Sequence, residues 1–284
     1  MLSVKGLHFT YPGADTEAVS GVSFDVEHGE IFGFLGPSGA GKSTVQRILH
    51  RQLQASAGEV IYDGKPLSQW GGELFEQIGV SFELPNLYPR LSGRQNLEAV
   101  GRLYAASCRP AKELFAAVGM SEALDRKAAD YSKGMKQRLV FVRAIQHRPR
   151  MLFLDEPTGG NDPATTEAII ELIRAEKERG ATVLLTTHDM HVADALCDRI
   201  AFINEGKIVA CDTPRQLKLD HGRSGIAVEH RQGDELVEIT IDPSSAADRT
   251  TLDGLLASGA VETLHSREAS LGEIFIQLTG RALQ

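Results

Sequence analysis

The residues with the clearest chemical pattern form one glycine-rich stretch near the start of the chain. Gly36, Gly41, Lys42 and Ser43 have the spacing G-x-x-x-x-G-K-[ST], which is typical of a phosphate-binding loop. Its glycines let backbone N–H groups turn towards an anion, and a helix beginning at Lys42 adds unpaired N–H groups. Lys42 could reach the β- and γ-phosphates, and Ser43 could bind Mg²⁺. The predicted nucleotide-binding residues are Gly36, Pro37, Ser38, Gly39, Ala40, Gly41, Lys42, Ser43 and Thr44.

The flanks of this stretch distinguish a phosphate loop from a glycine-rich turn with a chance lysine. The apolar run at residues 30–35 suits a buried strand. After the loop, Val45, Ile48 and Leu49 recur at helical spacing. Strand, loop and helix follow one another as a phosphate loop requires, so the sequence favours that interpretation.

Two acidic residues follow a later apolar run at residues 151–154. A buried strand would bring the Asp155 carboxylate to the sheet edge that holds the phosphate loop, where it could bind Mg²⁺ through water. Glu156, one residue later, could accept a proton from an attacking water. The alternative is an acidic pair that merely ends a strand, and the phosphate loop favours the catalytic interpretation.

Two more polar residues end predicted strands. Residues 78–83 and 182–187 read as buried strands, so Glu83 and His188 would lie at the same sheet edge. His188 could contact a γ-phosphate and register its loss. A lone histidine is more often structural, but three site-like residues at parallel strand ends favour a function. The predicted catalytic residues are Lys42, Glu156 and His188.

Tyr11 and Ser132 give weaker signals. Tyr11 opens a turn, where its ring could stack on a nucleobase or merely cap the β-layer. The spacing leaves these two alternatives open. Ser132 is a natural N-cap, and the helix it begins could face a phosphate. An ordinary capped amphipathic helix is the favoured reading of that segment.

The remaining segments indicate how these residues are positioned. Residues 2–10 and 18–27 read as antiparallel strands, and residues 84–146 as a helical insertion in an α/β core. A boundary at Pro214 gives one domain over residues 1–214 and a small α/β appendage over residues 215–284, in which Gln232-Gly233-Asp234 signals a hairpin.

The composition restricts the function further. A formal net charge of -8 over 284 residues argues against a nucleic-acid partner, which would favour a basic surface. The first residues lack a signal-peptide pattern, and no apolar run approaches the length of a spanning helix. We therefore expect a cytoplasmic protein.

The chain resembles the nucleotide-binding subunit of an ABC transporter over about residues 2–214. The resemblance rests on motifs in this order: Tyr11, the phosphate loop, Glu83, Ser132-Lys133-Gly134-Met135, Asp155-Glu156 and His188. The resemblance implies a head-to-tail homodimer that holds two ATP molecules. It also implies that Ser132 and Gly134 touch the partner's γ-phosphate. Tyr11 would stack on adenine, Asp162 would lie in the D-loop, and His188 would be the switch histidine. The metal ligands implied for Mg²⁺ are Ser43, Asp155 and Glu83.

Two departures from the common family pattern point to one branch. The signature reads Tyr-Ser-Lys-Gly-Met at residues 131–135, and Glu83 occupies a position usually held by glutamine. Both features, and the tail at residues 271–281, are similar to the bacterial ABC-2 export branch. That resemblance implies a separate ABC-2 membrane permease, export of a drug or antibiotic, and a location at the inner face of the membrane. Glu83 also adds a third carboxylate, whose repulsion a metal would offset.

The expected fold is α/β: a P-loop NTPase (RecA-like) core with an antiparallel β-layer, the helical insertion and the C-terminal appendage. Two alternatives to a transport ATPase remain. One is a non-transport ABC ATPase of DNA maintenance or the ribosome, which would need a long coiled coil or a second cassette. The other is a module that binds ATP without hydrolysing it, which would release no phosphate.

Overall fold

The computed structural model describes residues 1–222, 225–233 and 235–280. They form two compact units, of which the first is Met1–Cys211 and the second begins at Asp212. The predicted boundary lay after residue 214. Pro214 is instead the first residue of a helix, where its fixed φ and missing N–H are tolerated, and Thr213 caps that helix.

The first unit alternates strands and helices along the chain. It begins with β1 (Leu2–Phe9), β2 (Val19–Val26), β3 (Ile31–Leu35), α1 (Lys42–Leu49), β4 (Ala57–Tyr62), β5 (Lys65–Pro66), α2 (Leu74–Gln77) and β6 (Ile78–Ser81). It continues with α3 (Gly93–Gly101), α4 (Ala111–Ala117), α5 (Lys133–Ile145), β7 (Met151–Asp155), α6 (Pro163–Glu178), β8 (Thr182–Thr187), α7 (Met190–Leu196), β9 (Arg199–Asn204) and β10 (Lys207–Asp212).

A six-stranded sheet in the order β10-β9-β3-β8-β7-β6 forms the centre of this unit. Strands β3, β7 and β8 are buried along their whole length, as expected for apolar parallel strands covered on both faces. Leu35 pairs with Thr187, and Asp155 pairs with Thr186. The carboxyl ends of these strands therefore meet at one edge, directly beside the phosphate loop.

A second sheet, in the order β2-β1-β4-β5, forms the predicted antiparallel layer. One face of β1 and β2 is buried, and it joins the hydrophobic cluster that also contains Phe32 and Phe34 of β3. The layer therefore packs on the central sheet through an apolar face, and Tyr11 lies in the loop between β1 and β2.

The segment between β6 and β7 is helical, as predicted. Helix α3 spans Gly93–Gly101, and a capping box of Ser92 and Gln95 fixes its start. Strand β6 ends at Ser81, two residues before the predicted Glu83. Phe82 leaves the sheet because its carbonyl accepts a hydrogen bond from the Gln137 side chain, 3.2 Å away.

The second unit contains α8 (Pro214–His221), β11 (Gly225–Gln232), β12 (Glu235–Ile241), α9 (Ala246–Ser258), β13 (Val261–Arg267) and α10 (Leu271–Thr279). Its antiparallel sheet has the order β12-β11-β13. The predicted hairpin is the β11–β12 pair, and Asp234 and Arg281 lie outside the described residues. In the described part of both units, every helix is too short or too polar to cross a bilayer.

Candidate functional site

The phosphate loop connects the end of β3 to the start of α1, and two of its positions have no room for a side chain. A Cβ at Gly36 would lie 2.2 Å from the Ile203 carbonyl oxygen. Gly41 has a φ of +107°, and a Cβ there would lie 2.5 Å from the Ala18 carbonyl oxygen. Only glycine fits these positions. Helix α1 begins at Lys42 without a side-chain cap, which leaves its first N–H groups available to an anion.

Lys42 is buried at the base of this loop, and its Nζ donates to the carbonyl oxygens of Gly36 at 2.6 Å and Pro37 at 3.0 Å. Burial lowers the pKa of Lys42, and the negative charges of Glu156, Asp155 and Glu83 partly offset that effect. The lysine and the three carboxylates therefore share one electrostatic environment.

Asp155 and Ser43 lie side by side at the end of β7. The Ser43 hydroxyl donates to Asp155 Oδ1 at 3.1 Å, and the Thr186 hydroxyl also donates to that oxygen. Hard oxygen ligands of this kind suit Mg²⁺, which usually keeps several waters and binds one or two carboxylates together with phosphate oxygens. Within the described ranges no three His, Cys, Asp or Glu side chains form a metal cage. Such a small donor set fits a metal bound mainly through a nucleotide.

Glu156 follows Asp155 with a φ of +47°, which is uncommon for a residue with a side chain. Its backbone N–H donates to the Thr186 carbonyl at 3.0 Å. His188 Nδ1 lies 2.9 Å from Oε1, and the Thr187 hydroxyl donates to Oε2 at 3.2 Å. Both carboxylate oxygens are thus held in place, and Glu156 lines the same cavity as the phosphate loop, where a general base could reach an attacking water.

These groups line one cavity of about 870 Å³, which also contains Tyr11 and Glu83. The Tyr11 hydroxyl lies 3.0 Å from Thr44 Oγ1, and its ring packs edge-on against Phe9. Glu83 is exposed in the bend that follows β6. The structure therefore brings Tyr11, the phosphate loop, Glu83, Asp155, Glu156 and His188 together.

Ser132 and Gly134 lie elsewhere. Ser132 caps α5 by accepting a hydrogen bond from the Met135 N–H at 3.2 Å. Neither Ser132 nor Gly134 lines the cavity around the phosphate loop of its own chain. Gly134 instead packs against the segment after Glu156, where a Cβ on it would lie 2.9 Å from Asn161 Oδ1.

Sequence analysis missed several residues that support the cavity from behind or beside it. Thr186 and Thr187 hold the two carboxylates, and their position directly before His188 was the available signal. The β9–β10 turn also reaches the site, where the Gly206 N–H donates to the Ala40 carbonyl at 3.0 Å. A hairpin turn in the sequence does not indicate which loop it will contact.

Comparison with known proteins gives the family. The ABC transporter family matches residues 19–159. A fluoroquinolones export ATP-binding protein of Mycobacterium tuberculosis (strain ATCC 25618 / H37Rv) is 46% identical over 100% of this chain and 94% of its own length. The chain belongs to the ABC transporter family. A Nod factor export ATP-binding protein I of Burkholderia lata is 33% identical to this ABC protein over 95% of the chain and 94% of the relative.

Solved structures agree with this assignment. An ATP-binding subunit of an ABC transporter superposes with a TM-score of 0.70 and 29% identity, and covers 77% of this chain and 92% of that one. The dimeric cassette MJ0796, in a post-hydrolysis state with ADP and phosphate, gives a TM-score of 0.68 and 26% identity over 75% of this chain and 98% of that one. The predicted P-loop NTPase fold and ABC-type ATPase activity are confirmed. The roles of individual site residues stay predictions.

Proposed function

We propose that this ABC ATPase powers a separately encoded ABC-2 permease that exports a drug, an antibiotic or a related compound. The observation that carries the hydrolytic part is Glu156, whose carboxylate is held by His188 and Thr187 beside the phosphate loop. Support for export comes from relatives named for fluoroquinolones and Nod factor export. The chain would then work at the inner face of the membrane, attached to its permease.

Two copies would be needed for a complete site. Ser132 and Gly134 do not line the cavity of their own chain, yet Ser132 caps a 13-residue helix whose N-terminus can bind a phosphate. A head-to-tail homodimer would place this helix end of each copy on the ATP held by the other. Such an interface is isologous, since the same surfaces meet twice.

Each group in the cavity then has a role in phosphoryl transfer to water. Lys42 and the N–H groups of the phosphate loop stabilise the negative charge of the transferring phosphate. Glu156 takes a proton from the attacking water, and His188 orients Glu156 and contacts the γ-phosphate. Ser43 and Asp155, with Glu83, would hold Mg²⁺, which supplies charge neutralisation for the phosphates when it is bound.

The permease would dock on the helical segment, because large apolar side chains lie exposed there. Tyr88 is 55% exposed and Leu84 79% exposed, directly after Glu83. Leu103, 78% exposed, adds apolar area in the same segment, and Phe75, 49% exposed, lies before β6 in α2. Exposed apolar surface of this kind marks interaction sites. Because this surface begins directly after Glu83, a conformational change at Glu83 would be transmitted to the permease.

The test is Glu156→Gln, which keeps the side-chain shape but removes the basic carboxylate. We expect this variant to bind ATP, to accumulate as a dimer on size exclusion, and to release phosphate at least about a hundredfold more slowly, as expected for loss of a general base. Glu178→Gln, an exposed position at the end of α6, should behave like the wild type. Undiminished hydrolysis by Glu156→Gln would rule Glu156 out as the base. A strictly monomeric sample with ATP and permease present would refute the two-copy site.

A further inference from the structure

Helix α1 buries an amide side chain in its middle. Gln46 is 2% exposed and follows the buried Val45. Its Nε2 donates to the Leu154 carbonyl at 3.1 Å and to the Leu184 carbonyl at 3.2 Å. A buried amide is costly unless it is hydrogen-bonded, and these two bonds satisfy its donors. They connect α1 to β7 and β8, and we call them the Gln46 bridge.

The Gln46 bridge lies next to two oxygen atoms of the proposed metal site. Ser43 and Gln46 are three positions apart in α1, so their side chains lie on the same face of the helix. On β7, Leu154 directly precedes Asp155. The Ser43 hydroxyl donates to Asp155 Oδ1 at 3.1 Å. Helix and strand are therefore joined twice, at the phosphate loop by Ser43 and one turn later by Gln46.

The two connections differ in their exposure to water. Ser43 and Asp155 line the cavity of the phosphate loop, so water can compete for both of their oxygens. The two bonds of the Gln46 bridge are buried. A hydrogen bond shielded from water is electrostatically stronger than one that water reaches. The bridge is therefore the more constant of the two connections between α1 and β7.

Mg²⁺ binding requires that this connection be constant. The ion demands near-octahedral geometry with oxygen ligands at about 2.0–2.1 Å. The Ser43 hydroxyl can offer a lone pair to a metal and keep its hydrogen on Asp155 only if α1 and β7 hold one separation. A small displacement of the helix would remove one of the two oxygens from reach.

We propose that Gln46 is a positioning residue for the metal site, whose carboxamide fixes Ser43 on α1 relative to Asp155 on β7. This inference rests on the proposed role of Ser43 and Asp155 in holding Mg²⁺. Gln46 does not line the cavity, so it acts through the helix and the strands that it joins. Replacing a group that orients metal ligands typically lowers metal affinity by about 10–100-fold.

Gln46→Met tests the proposal, because methionine is an unbranched side chain without a donor for the two carbonyls. The probe is AMP-PNP, an ATP analogue that is not hydrolysed. We measure the ratio of its dissociation constant in EDTA to that in Mg²⁺. This ratio should fall roughly tenfold in Gln46→Met. The dissociation constant in EDTA should stay at the wild-type value, since Lys42 and the phosphate loop are unchanged.

Gln146→Met is the matched control. Gln146 is 1% exposed, and its Nε2 has no hydrogen-bond partner among the described residues. The same substitution there removes an equally buried amide without breaking a bond of that nitrogen, so the ratio should equal that of the wild type. The urea midpoint of each variant is measured in parallel. A merely structural role of Gln46 would lower the midpoint and leave the ratio unchanged.

The wild-type protein allows a second measurement, which does not depend on whether Gln46→Met folds. The side-chain amide hydrogens of Gln46 should exchange slowly with solvent, because both are bonded in a buried place. We expect nuclear magnetic resonance to show slow exchange both in the free protein and with Mg²⁺ and AMP-PNP bound. Rapid exchange in the bound protein would mean that the bridge is broken when the metal site is occupied.

The outcomes separate this inference from the proposed function. A wild-type ratio in folded Gln46→Met, an equal fall in Gln146→Met, or rapid exchange in the bound protein would overturn the positioning role of Gln46. The proposed metal site would still stand in each case. A wild-type protein whose affinity for AMP-PNP does not depend on Mg²⁺ would instead refute the proposed role of Ser43 and Asp155.

Discussion

The β9–β10 turn offers a direct test of how the phosphate loop is held. Gly206 donates to the Ala40 carbonyl at 3.0 Å and accepts from the Ser20 N–H at 2.8 Å, so it joins the loop to β2. A Cβ on Gly206 would lie 2.9 Å from the Ala18 carbonyl oxygen and 3.2 Å from Val19 Cα. Both contacts are with backbone atoms, which cannot move aside by a change of rotamer. Gly206→Ala should therefore displace the turn and, with it, Ala40.

A second turn in the same unit provides a matched control. Asp63 and Gly64 have φ values of +48° and +76°, against +49° and +74° for Glu205 and Gly206. A Cβ on Gly64 would meet nothing within 4 Å. Both substitutions force alanine into the left-handed region at a cost of about 1–2 kcal/mol, so this cost cancels in the comparison. The contact with Ala18 and Val19 belongs to Gly206→Ala alone.

The steric contact that only Gly206→Ala introduces sets the expected loss of ATP affinity. Forcing an extra methyl group into a packed site typically costs about 1–3 kcal/mol. If displacement of the phosphate loop relieves this strain, ATP binding weakens by about 5–150-fold. The assay is equilibrium binding of ATP in buffer with Mg²⁺, with the urea midpoint of each variant measured in parallel. ATP affinity equal to that of Gly64→Ala would refute the view that this turn positions the phosphate loop.

Two further predictions concern Tyr11 and His50. Tyr11→Ala should weaken ATP binding by about 1–3 kcal/mol if the ring stacks on the base, whereas Tyr11→Phe loses only the hydrogen bond to Thr44 and should stay within about 1 kcal/mol of wild type in the same assay. Equal affinities for all three proteins would contradict stacking. Burial lowers the pKa of His50 from 6.5 to about 4. The unfolded chain then binds the proton first, and stability should fall as the pH drops from 6.5 towards 4, by about 1.4 kcal/mol per pH unit. His50→Phe should reduce this slope in urea unfolding between pH 7 and 5, and an unchanged slope would exclude His50 as its source.

Sequence patterns predicted the parts of this fold that depend on local chemistry. The apolar runs of β3, β7 and β8 are long and uninterrupted, and their burial on both faces leaves little choice of structure. The phosphate loop and the Asp155-Glu156 pair follow from these strands, because parallel strands deliver their carboxyl ends to one edge.

The parts that sequence did not predict depend on contacts between distant segments. β6 stops at Ser81 because the Phe82 carbonyl accepts a hydrogen bond from the side chain of Gln137, a residue more than fifty positions away. The role of Gly206 depends on Ala18 and Ala40, and neither contact leaves a periodic signal. The separation of Ser132 from the phosphate loop of its own chain likewise became evident only in the folded unit.

The left-handed backbone at Glu156 has a consequence for how this position can change. Only glycine, and to a lesser degree asparagine or aspartate, adopts such a φ comfortably, so the local backbone would be more relaxed with one of these three residues than with glutamate. Selection for folding alone would push the position towards glycine. A glutamate at this position is thus evidence that function, and not backbone stability, determines the residue type. A homologue that no longer hydrolyses ATP would be free to accept other residues here.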